Sequence, residues 1–363
     1  MRKLASIKTI TAIAPIEGKD LIGLATVDGW GVIVQLSQFK PGDKCVYIEI
    51  DSVMPEKPEF EFLRKKDFRI RTMKMAGVIS QGICFPMDIL PPKKNGEEYA
   101  LDEDVTEVIG VTQYEPTMDK EQNTEKKEQT KKYPKWLMRF AWFRRLVLGN
   151  QKKKGSFPSF ISKTDEVRIQ NIPHILNDKR EWIATEKVDG QSGTFALVRH
   201  KRRFPFMKDE FEYIVCSRNL RLGKPDNSSY WRVSERYKIE NVLHNMIGDR
   251  EWIAIQGECI APNVQGNKYK VTEPDLYVFN LIYPTGRMGS KVAKSIIENH
   301  GMKFVPIVAE DYVLPDTVQE VLDYAHGQSA LGETIREGIV FRSKDGVHSF
   351  KAVDPLFLIK YNE

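Results

Sequence analysis

A long charged stretch, about a third of the way along the chain, limits how the chain can fold. From about Val111 onward, the sequence QYEPTMDKEQNTEKKEQTKKYPK alternates charge sign and carries almost no core-forming residues. Such a segment cannot bury enough apolar surface to offset the loss of chain entropy, so it is typical of a solvated linker. The chain has 363 residues, 41% of them hydrophobic, and domains usually have roughly 100–200 residues. We therefore predict a domain at residues 1–110, a charged linker with an amphipathic helix at 111–155, and a second domain at 156–363.

A run of large apolar residues follows the charged stretch. Within WLMRFAWFRRLVLGNQKKKG the apolar side chains fall at helical spacing, with arginines between them, at Trp136, Leu137, Phe140, Phe143, Leu146 and Val147. One interpretation is an element that contacts nucleic acid or a membrane surface. The other is a helix that packs on one domain and keeps its arginines in water. We favour the second, because amphipathic helices usually pack on a core.

The first domain is predicted to be rich in β-strands. Asp28 and Gly29 separate the two apolar runs of LIGLATVDGWGVIVQL, which is a strong signal for a β-hairpin. A turn at Pro41-Gly42-Asp43 then leads into an alternating strand, and IRTMKMAGVISQGICFPM predicts a further pair of strands. Short strands at this spacing favour a small barrel or sandwich. We predict an OB-type β-barrel.

Composition and cysteine spacing exclude several classes of protein. Cys45, Cys84, Cys216 and Cys259 lie far apart with no CxxC pair, so zinc sites and a disulfide framework are both poorly supported. No apolar run approaches the roughly 20 residues that span a bilayer. Lys8 interrupts the apolar start of the chain, which therefore predicts a strand and not a signal peptide. We expect a soluble, cytoplasmic protein with no membrane partner, and the net charge of +5 hints at an anionic partner.

The second domain has a mixed pattern of strands and helices. Three segments carry helical periodicity and end at or near glycine: SYWRVSERYKIENVLHNMIG, SKVAKSIIENHG and TVQEVLDYAHG. The strand-like segments are EWIATEKVDGQSGTFALVRH, FEYIVCSR, REWIAIQGECIA, DLYVFNLIY, EGIVFRS and FLIKY.

The most informative segment is Glu186-Lys187-Val188-Asp189-Gly190. Lys187 leaves an apolar strand and is soon followed by a turn glycine, so we expect a half-buried lysine with a lowered pKa, as a nucleophilic amine requires. Asp189, two residues on in an extended chain, points to the same side and can orient the amine. Alone, the KxDG pattern is weak, and the alternative is a surface lysine before a turn.

Five further pieces follow Lys187 in order along the chain. Ser217-Arg218-Asn219 and Gln256-Gly257-Glu258 end two strands, Tyr277-Val278-Phe279 and Glu337-Gly338-Ile339-Val340 lie in two more, and Lys360 lies in the last. Singly, these are ordinary strand-end carboxylates, a solvated arginine and a core phenylalanine. Together they resemble the motifs of the covalent nucleotidyltransferase superfamily, which comprises ATP-dependent DNA ligases, RNA ligases and messenger-RNA capping enzymes.

Finer features resemble the RNA ligases within this superfamily. They are KTDEVRIQN at residues 163–171 and QGECIAPNVQGNKY around Glu258. A β-rich domain containing RIRTMKMAGVISQG in front of the transferase domain resembles the RNA ligase 5 family, whereas most DNA ligases and capping enzymes carry the OB domain behind it. The sequence ends three residues after Lys360, so we expect no OB domain to follow. The resemblance implies an α+β fold, with an N-terminal OB-type β-barrel followed by a nucleotidyltransferase domain of antiparallel sheets and flanking helices.

The resemblance also implies a three-step reaction with ATP and Mg²⁺ or Mn²⁺ as cofactors. Lys187 would attack the α-phosphorus of ATP to form a lysyl-adenylate, the AMP would pass to a 5′-phosphate, and a 3′-hydroxyl would displace it. The implied catalytic residues are Lys187, Asp189, Glu258, Glu337 and Lys360. The implied ATP contacts are Glu186, Lys187, Gly190, Arg218, Glu258, Phe279, Glu337, Lys351 and Lys360.

Within this set the resemblance assigns particular roles. Phe279 matches the aromatic that stacks on adenine, and Arg218 and Glu258 match groups that contact the ribose. Glu258 and Glu337 are the implied metal ligands, since carboxylate oxygens suit hard divalent cations.

The last motif departs from the superfamily pattern. That motif often carries two lysines separated by one residue, but Lys360 is followed by Tyr361 and Asn362. Lys360 would supply a cation for the α-phosphate, and Lys351 is a second candidate that can take the place of the missing lysine.

A basic cluster in the first domain consists of Arg69, Arg71 and Lys74. We predict that these side chains contact phosphates of a bound duplex, although a solvated strand face gives the same pattern.

The expected partner is RNA or an RNA-containing duplex with 3′-hydroxyl and 5′-phosphate ends, bound by a monomer. The alternatives are a DNA nick ligase, a GTP-using capping enzyme, and a non-catalytic nucleic-acid-binding protein with a ligase-like fold. Domain order argues against the two other enzymes, and the complete motif set argues against the non-catalytic protein.

Overall fold

A computed structural model describes residues 3–93, 96–114, 155–201, 209–223 and 227–361. The predicted amphipathic helix from Trp136 to Val147 and most of the predicted charged linker lie outside these ranges. Among the described residues, none of the helices has the length and apolar character needed to cross a membrane.

The N-terminal part is built from short antiparallel strands. The strands are β1 Ala5–Ile16, β2 Lys19–Val27, β3 Trp30–Gln35, β4 Lys44–Ile48, β5 Ser52–Val53, β6 Arg69–Ile70, β7 Thr72–Met75, β8 Val78–Gln81, β9 Ile83–Phe85 and β10 Thr112–Gln113. The helical segments are the 3₁₀ turns Pro58–Lys66 and Met87–Ile89 and the helix α1 Thr106–Ile109.

The main N-terminal sheet curls on itself. Its strand order is β3-β2-β1-β4-β9, and β3 at one edge also lies against β9 at the other, which is how a small barrel closes. The predicted hairpin is confirmed: Val27 pairs with Trp30 across the turn, and Asp28 has φ of 49°, the left-handed conformation that aspartate tolerates in such turns. Trp30 is 1% exposed and belongs to the core.

The C-terminal part contains two sheets with helices around them. Its strands are β11 Gly155–Ser156, β12 Glu181–Glu186, β13 Gln191–His200, β14 Glu210–Cys216, β15 Leu220–Arg221, β16 Trp252–Ile260, β17 Asp275–Tyr283, β18 Gly286–Arg287, β19 Lys303–Phe304, β20 Ile307–Val313, β21 Gly338–Ser343 and β22 Ser349–Val353. The helices are α2 Ser229–Arg236, α3 Ile239–Ile247, α4 Ser290–Asn299, α5 Val318–Ala325 and α6 Pro355–Tyr361, and the 3₁₀ turns are Ile169–Asn171, Pro173–Asn177 and Gln265–Asn267.

The two C-terminal sheets are antiparallel apart from one short pairing. The larger has the order β11-β15-β14-β13-β16-β17-β18, with β19 pairing parallel to β17. The smaller has the order β20-β12-β21-β22. The chain passes from β12 in the smaller sheet directly to β13 in the larger, so residues 187–190 connect the two sheets. The predicted α+β fold with antiparallel sheets and flanking helices is confirmed.

The predicted strand FLIKY is wrong, because this segment forms α6. The Asp354 side chain accepts a hydrogen bond from the backbone N–H of Leu356 at 2.9 Å and begins the helix. Phe357 and Tyr361 are then four residues apart on one helical face, with ring centroids 4.7 Å apart. Phe357 and Leu358 are both buried, in a cluster that also holds the N-terminal core. Packing against the first domain therefore overrides the local strand-like pattern.

Polar contacts also join the two parts of the molecule. The indole Nε1 of Trp30 donates to Asn171 Oδ1 at 2.6 Å, and Asn171 Nδ2 donates to Glu49 Oε1 at 2.8 Å. The buried Arg168 pairs with Asp51 at 2.9 Å. These contacts fix the edge of the first domain against the segment that leads into β12.

Candidate active site

A cavity of about 610 Å³ gathers most of the predicted site residues. Its walls include Glu186, Lys187, Asp189, Gly190, Arg218, Glu258, Phe279, Glu337 and Lys351. Gln113 and Tyr114 from the end of the N-terminal part also line it. The cavity therefore lies where the connection between the two C-terminal sheets meets the first domain.

Lys187 is held at the end of β12 by backbone and side-chain contacts. The backbone N–H of Glu186 donates to the carbonyl oxygen of Pro306 at 2.8 Å, and that of Lys187 donates to Gly338 at 2.9 Å. The Lys187 ammonium donates to Glu337 Oε2 at 2.5 Å. Strands β12 and β21 pair beside this point, so the smaller sheet brings the lysine and the glutamate together although they are far apart in sequence.

The charge around Lys187 differs from the sequence expectation. Burial lowers the pKa of Lys187, but Glu337 and Glu258, with a further contribution from Asp189, raise it more, so its pKa lies above the ordinary value of 10.5. The expected lowered pKa is therefore wrong. The amine is stored as an ammonium in an ion pair, since the carboxylates around it outweigh the effect of desolvation.

Gly190 permits the close approach of the connection to β16. A Cβ atom at this position would lie 2.6 Å from the carbonyl oxygen of Cys259 and 3.0 Å from Cγ of Glu258. No side chain fits there without displacing backbone, so the glycine is required by space and not by an unusual φ.

Asp189 forms a buried ion pair that sequence reasoning missed. Lys268 Nζ lies 2.5 Å from Asp189 Oδ2, and the two side chains are 7% and 5% exposed. The backbone N–H of Asp189 donates to the Tyr269 hydroxyl at 2.8 Å. Asp189 is thus tied to the turn that follows β16.

Glu258 on β16 lines the same cavity, and its pKa is higher than that of an ordinary glutamate. Burial raises its pKa to about 8; Lys187 opposes this effect, and Glu337 adds to it.

Glu258 and Glu337 are the two implied metal ligands. Among the described residues, no group of three or more His, Cys, Asp or Glu side chains is placed to hold a metal ion. Two carboxylates nevertheless fit Mg²⁺ or Mn²⁺, because Mg²⁺ usually binds through one or two carboxylates together with water and substrate phosphates.

Lys351 lines the cavity, whereas Lys360 lies outside its walls. Lys351 on β22 donates to Asp165 Oδ1 at 2.8 Å, and Arg218 pairs with the same carboxylate at 3.2 Å. Burial lowers the pKa of Lys351 to about 8; Asp165 opposes this effect, and nearby cations add to it. Lys360 is exposed on α6, with its ammonium 5.2 Å from the ring of Tyr361. The predicted position of Lys360 on a last strand is wrong for the helical reason given above, and of these two lysines it is Lys351 that lines the cavity.

Phe279 on β17 lines the cavity with a buried arginine beside its ring. The guanidinium carbon of Arg342 lies 5.7 Å from the ring centroid. Arg342 is 3% exposed, donates to Thr185 Oγ1 at 3.1 Å and lies 3.6 Å from Glu166 Oε1. Burial lowers the pKa of Arg342 to about 10, and Glu166 opposes this effect. The ring thus has a rigid, cationic support on the wall of the cavity.

Glu186, an implied ATP contact, also has a structural task. It is 2% exposed. Its carboxylate accepts hydrogen bonds from the Ser329 hydroxyl at 2.5 Å and from the backbone N–H of Ala330 at 2.9 Å. It therefore anchors the loop that leads to Glu337.

The predicted basic cluster of the first domain is divided by the fold. The guanidinium carbon of Arg69 lies 3.5 Å from the ring centroid of Tyr114, and Arg69 pairs with Asp51 at 3.8 Å. Arg71 is half-buried, and Lys74 is exposed on β7. Arg69 thus supports a cavity-lining tyrosine, and contact of the three side chains with nucleic acid stays a prediction.

Several residues of the site were missed by sequence reasoning, for different reasons. Asp165 and Lys268 lie in the two segments that resemble RNA ligases, so those segments carried a usable signal. Arg342 comes directly after Glu337-Gly338-Ile339-Val340-Phe341 but had no recognisable partner in the sequence. Tyr114 had no signal at all, because it stands at the start of the charged stretch.

Comparisons with known proteins agree with this architecture. A family model described as an OB-fold domain matches residues 4–87, and one described as RNA ligase matches residues 180–361. Naegleria gruberi RNA ligase with PPi is 31% identical, with a TM-score of 0.79 over 100% of this chain and 99% of that chain. No curated protein matches.

Two further solved structures are variants of the same Naegleria gruberi enzyme. One contains ATP and Mn, is 31% identical and has a TM-score of 0.78 over 99% of each chain. The other contains AMP and Mn and has the same identity and TM-score over 98% of each chain.

The fold defines an enzyme in which an N-terminal OB domain precedes an RNA-ligase-type domain that holds the cavity. The chain belongs to the RNA ligase family. The predicted order of an OB domain followed by a ligase domain is confirmed, as is the predicted RNA ligase class of the enzyme.

Proposed function

We propose that this protein is an ATP-dependent RNA ligase that seals nicks in duplex RNA or RNA-containing duplexes through a lysyl-AMP intermediate. Lys187 is the residue that becomes adenylylated. The AMP passes from Lys187 to a 5′-phosphate end, and a 3′-hydroxyl then displaces the AMP to form the phosphodiester bond.

The observation that carries this proposal is the pairing of Lys187 with Glu337 in a cavity that is also lined by positively charged side chains. The two side chains are 2.5 Å apart, and Lys351, Arg218 and Glu258 line the same space. A triphosphate needs cations near its phosphates and a nucleophile near its α-phosphorus. The cavity lining includes both.

The first step requires the Lys187 amine to lose its proton. The amine nitrogen then forms a bond to the α-phosphorus, the bond from that phosphorus to the bridging oxygen breaks, and pyrophosphate leaves with the electron pair. Glu337 accepts the hydrogen bond of the ammonium and is the group placed to take the proton. Lys351 sits where it can neutralise charge that develops on the phosphates.

Glu258 and Glu337 are the residues that would hold a divalent cation. Such a cation supplies charge neutralisation for the phosphates and competes for the carboxylates that keep Lys187 protonated. Phe279, supported by Arg342, is the surface on which the adenine ring stacks, since an aromatic face packs well on a nucleobase.

In the second and third steps the protein residues position the nucleic acid. An oxygen of the 5′-phosphate attacks the adenylate phosphorus and releases the Lys187 amine. The 3′-hydroxyl then attacks the activated 5′-phosphate, AMP leaves, and the hydroxyl proton is lost. Arg218, half-exposed in the lining of the same cavity, contacts the ribose of the adenylate in these steps, the role that its motif implies.

A panel of nicked duplexes tests the substrate part of the proposal. Duplexes with RNA or DNA on each strand are sealed by the full chain with ATP and Mn²⁺, and the rate is compared for a ribose and a deoxyribose at the 3′-hydroxyl end. We expect sealing to be faster with ribose by at least about tenfold, because a site that hydrogen-bonds a hydroxyl discriminates against its absence. Equal rates with deoxyribose would show that the RNA-specific part is wrong and would favour a DNA nick ligase.

A further inference from the structure

Lys268 is a deeply buried cation that pairs with the motif carrying Lys187. It follows the 3₁₀ turn Gln265–Asn267, and its ammonium lies 2.5 Å from Asp189. Lys268 lies behind the cavity wall, while Asp189 belongs to that wall. The ion pair with Asp189 therefore connects Lys268 to the wall that carries Lys187.

Replacement of only one partner of the Lys268–Asp189 pair is expected to destabilise the fold strongly. Both side chains are more than nine-tenths buried, and removal of one partner would leave a buried charge uncompensated. Since Asp189 is two residues from Lys187, a shift of its carboxylate changes the course of the connection on which Lys187 stands.

Helix α6 encloses the Lys268 ammonium from the other side. The ammonium lies 5.1 Å from the ring centroid of Phe357 and 4.7 Å from that of Tyr361, distances at which a cation is attracted to an aromatic face. Phe357 also packs in the cluster that holds the N-terminal core. Asp354, which caps α6, donates its backbone N–H to the carbonyl oxygen of Glu337 at 2.8 Å. One helix thus contacts the first domain, Lys268 and the backbone of Glu337.

We propose that Lys268 is a positioning residue for the adenylylation of Lys187, held by the aromatic rings of α6 and acting through Asp189. This inference rests on the proposed function, because it concerns the step in which Lys187 attacks ATP. Helix α6 therefore links the position of the first domain to the geometry of residues 187–190, which carry Lys187. Lys268 aligns the amine and takes no part in ATP binding.

The test measures formation of the protein–AMP adduct in a single turnover at several ATP concentrations, by intact mass. Lys268→Met keeps the volume but removes the charge. We expect the maximal rate to fall at least about tenfold while the half-saturating ATP concentration stays within about twofold, since a lost alignment affects the reacting state and not ground-state binding. An unchanged maximal rate, or a rise in half-saturating ATP that accounts for the whole loss, would overturn the proposal.

A control uses a second lysine that also pairs with an aspartate near a tyrosine ring, although its side chain is 48% exposed, against 7% for Lys268. Lys303 pairs with Asp275 at 2.6 Å and lies 5.4 Å from the ring of Tyr277, but these residues are outside the cavity wall. Lys303→Met should leave the maximal rate within about twofold of wild type. If it slows adduct formation as much as Lys268→Met does, the effect is a general loss of stability and the proposal fails.

A milder pair of variants keeps the proposal testable if Lys268→Met does not fold. Tyr361→Leu removes one ring of the cage, whereas Tyr361→Phe keeps the ring and removes only the hydroxyl that contacts Thr334 at 2.6 Å. We expect the leucine variant to lose at least about threefold in maximal rate and the phenylalanine variant to match wild type. Equal losses in both would assign the effect to the hydroxyl and overturn the role of the cage.

Failure of this inference is distinguishable from failure of the proposed function. If wild-type protein forms no adduct with ATP and Mn²⁺, the lysyl-AMP mechanism itself is wrong. If wild type forms the adduct and Lys268→Met reaches the same maximal rate, the mechanism stands and only the positioning role is lost.

Discussion

The ammonium of Lys187 is surrounded by more negative charge than its sequence context indicated. An apolar strand before the lysine predicts desolvation and a lowered pKa, but Glu337 and Glu258 raise that pKa above its ordinary value. Both glutamates are distant in sequence, so their effect could not be read from the KxDG pattern. Lys187 is thus an ammonium paired with Glu337.

A comparison of Lys351 with Lys360 tests which lysine serves the phosphates. Lys351 lines the cavity and pairs with Asp165, whereas Lys360 is on the exposed face of α6. We expect Lys351→Met to slow protein–AMP formation by about 100-fold or more, the scale of losing one preorganised charge contact in a transition state. Lys360→Met should remain within about twofold of wild type. Single-turnover adduct formation checks both, and the reverse order would contradict our assignment.

The raised pKa of Glu258 predicts how stability depends on pH. Burial raises this pKa from 4.5 to about 8, so between these values the folded protein keeps a proton that the unfolded chain has released. The contribution of Glu258 therefore lowers stability as pH rises through this window. Glu258→Gln cannot ionise and escapes this loss.

Melting temperatures of the metal-free proteins measure this effect. The Tm of Glu258→Gln minus that of wild type should grow from about pH 5 to about pH 8. The exposed Glu107 provides a control, because Glu107→Gln shows how much of the change with pH any replacement of glutamate by glutamine produces. A constant difference for Glu258→Gln would contradict the burial of its carboxyl group.

At the scale of elements, the connection between β12 and β13 depends on close packing at Gly190. A Cβ there would meet the Cys259 carbonyl oxygen at 2.6 Å, while a Cβ at Gly332 would meet its nearest neighbour, Cα of Tyr269, at 3.6 Å. Gly190→Ala should therefore destabilise the protein by about 1–3 kcal/mol and slow adduct formation, whereas Gly332→Ala should change stability by less than about 0.5 kcal/mol. Urea unfolding and single-turnover kinetics are the measurements. Equal effects of the two variants would contradict this account.

Local patterns predicted the elements that depend on nearby residues. The Asp28-Gly29 hairpin and the strand that ends at Glu186 are specified by alternation and turn residues within a few positions. Helix α6 was predicted as a strand because its helical face is buried against a distant domain. Lys268 pairs with Asp189 across 79 positions, and such a pairing becomes visible only when the sheets assemble. The five sequence pieces that follow Lys187 predicted which residues meet at the cavity. The polar partners behind the cavity wall, such as Lys268, could be identified only from the folded structure.

At the scale of the whole molecule, the two domains share one hydrophobic cluster. Phe357 and Leu358 of the C-terminal helix are packed with core residues of the N-terminal part, and polar contacts around Asn171 reinforce the junction. The first domain is therefore a fixed part of the active-site architecture in this structure.

Adjacent residues on α6 test the strength of this junction. Phe357 is 1% exposed, whereas Leu356 is 41% exposed. Phe357→Ala should lower the free energy of unfolding by about 3–5 kcal/mol, the usual cost of deleting a buried phenylalanine. Leu356→Ala should cost less than about 0.5 kcal/mol. Urea denaturation provides the values, and similar small losses for both would show that α6 is not part of the shared core.

The most direct measurement of the central claim is the intact mass of the protein after mixing with ATP and Mn²⁺, followed by peptide mapping of the adduct. The account predicts one AMP-sized addition, located at Lys187, that disappears in Lys187→Ala and is discharged when a nicked RNA duplex is added. No addition to the wild-type protein, or an addition that persists in Lys187→Ala, would contradict it.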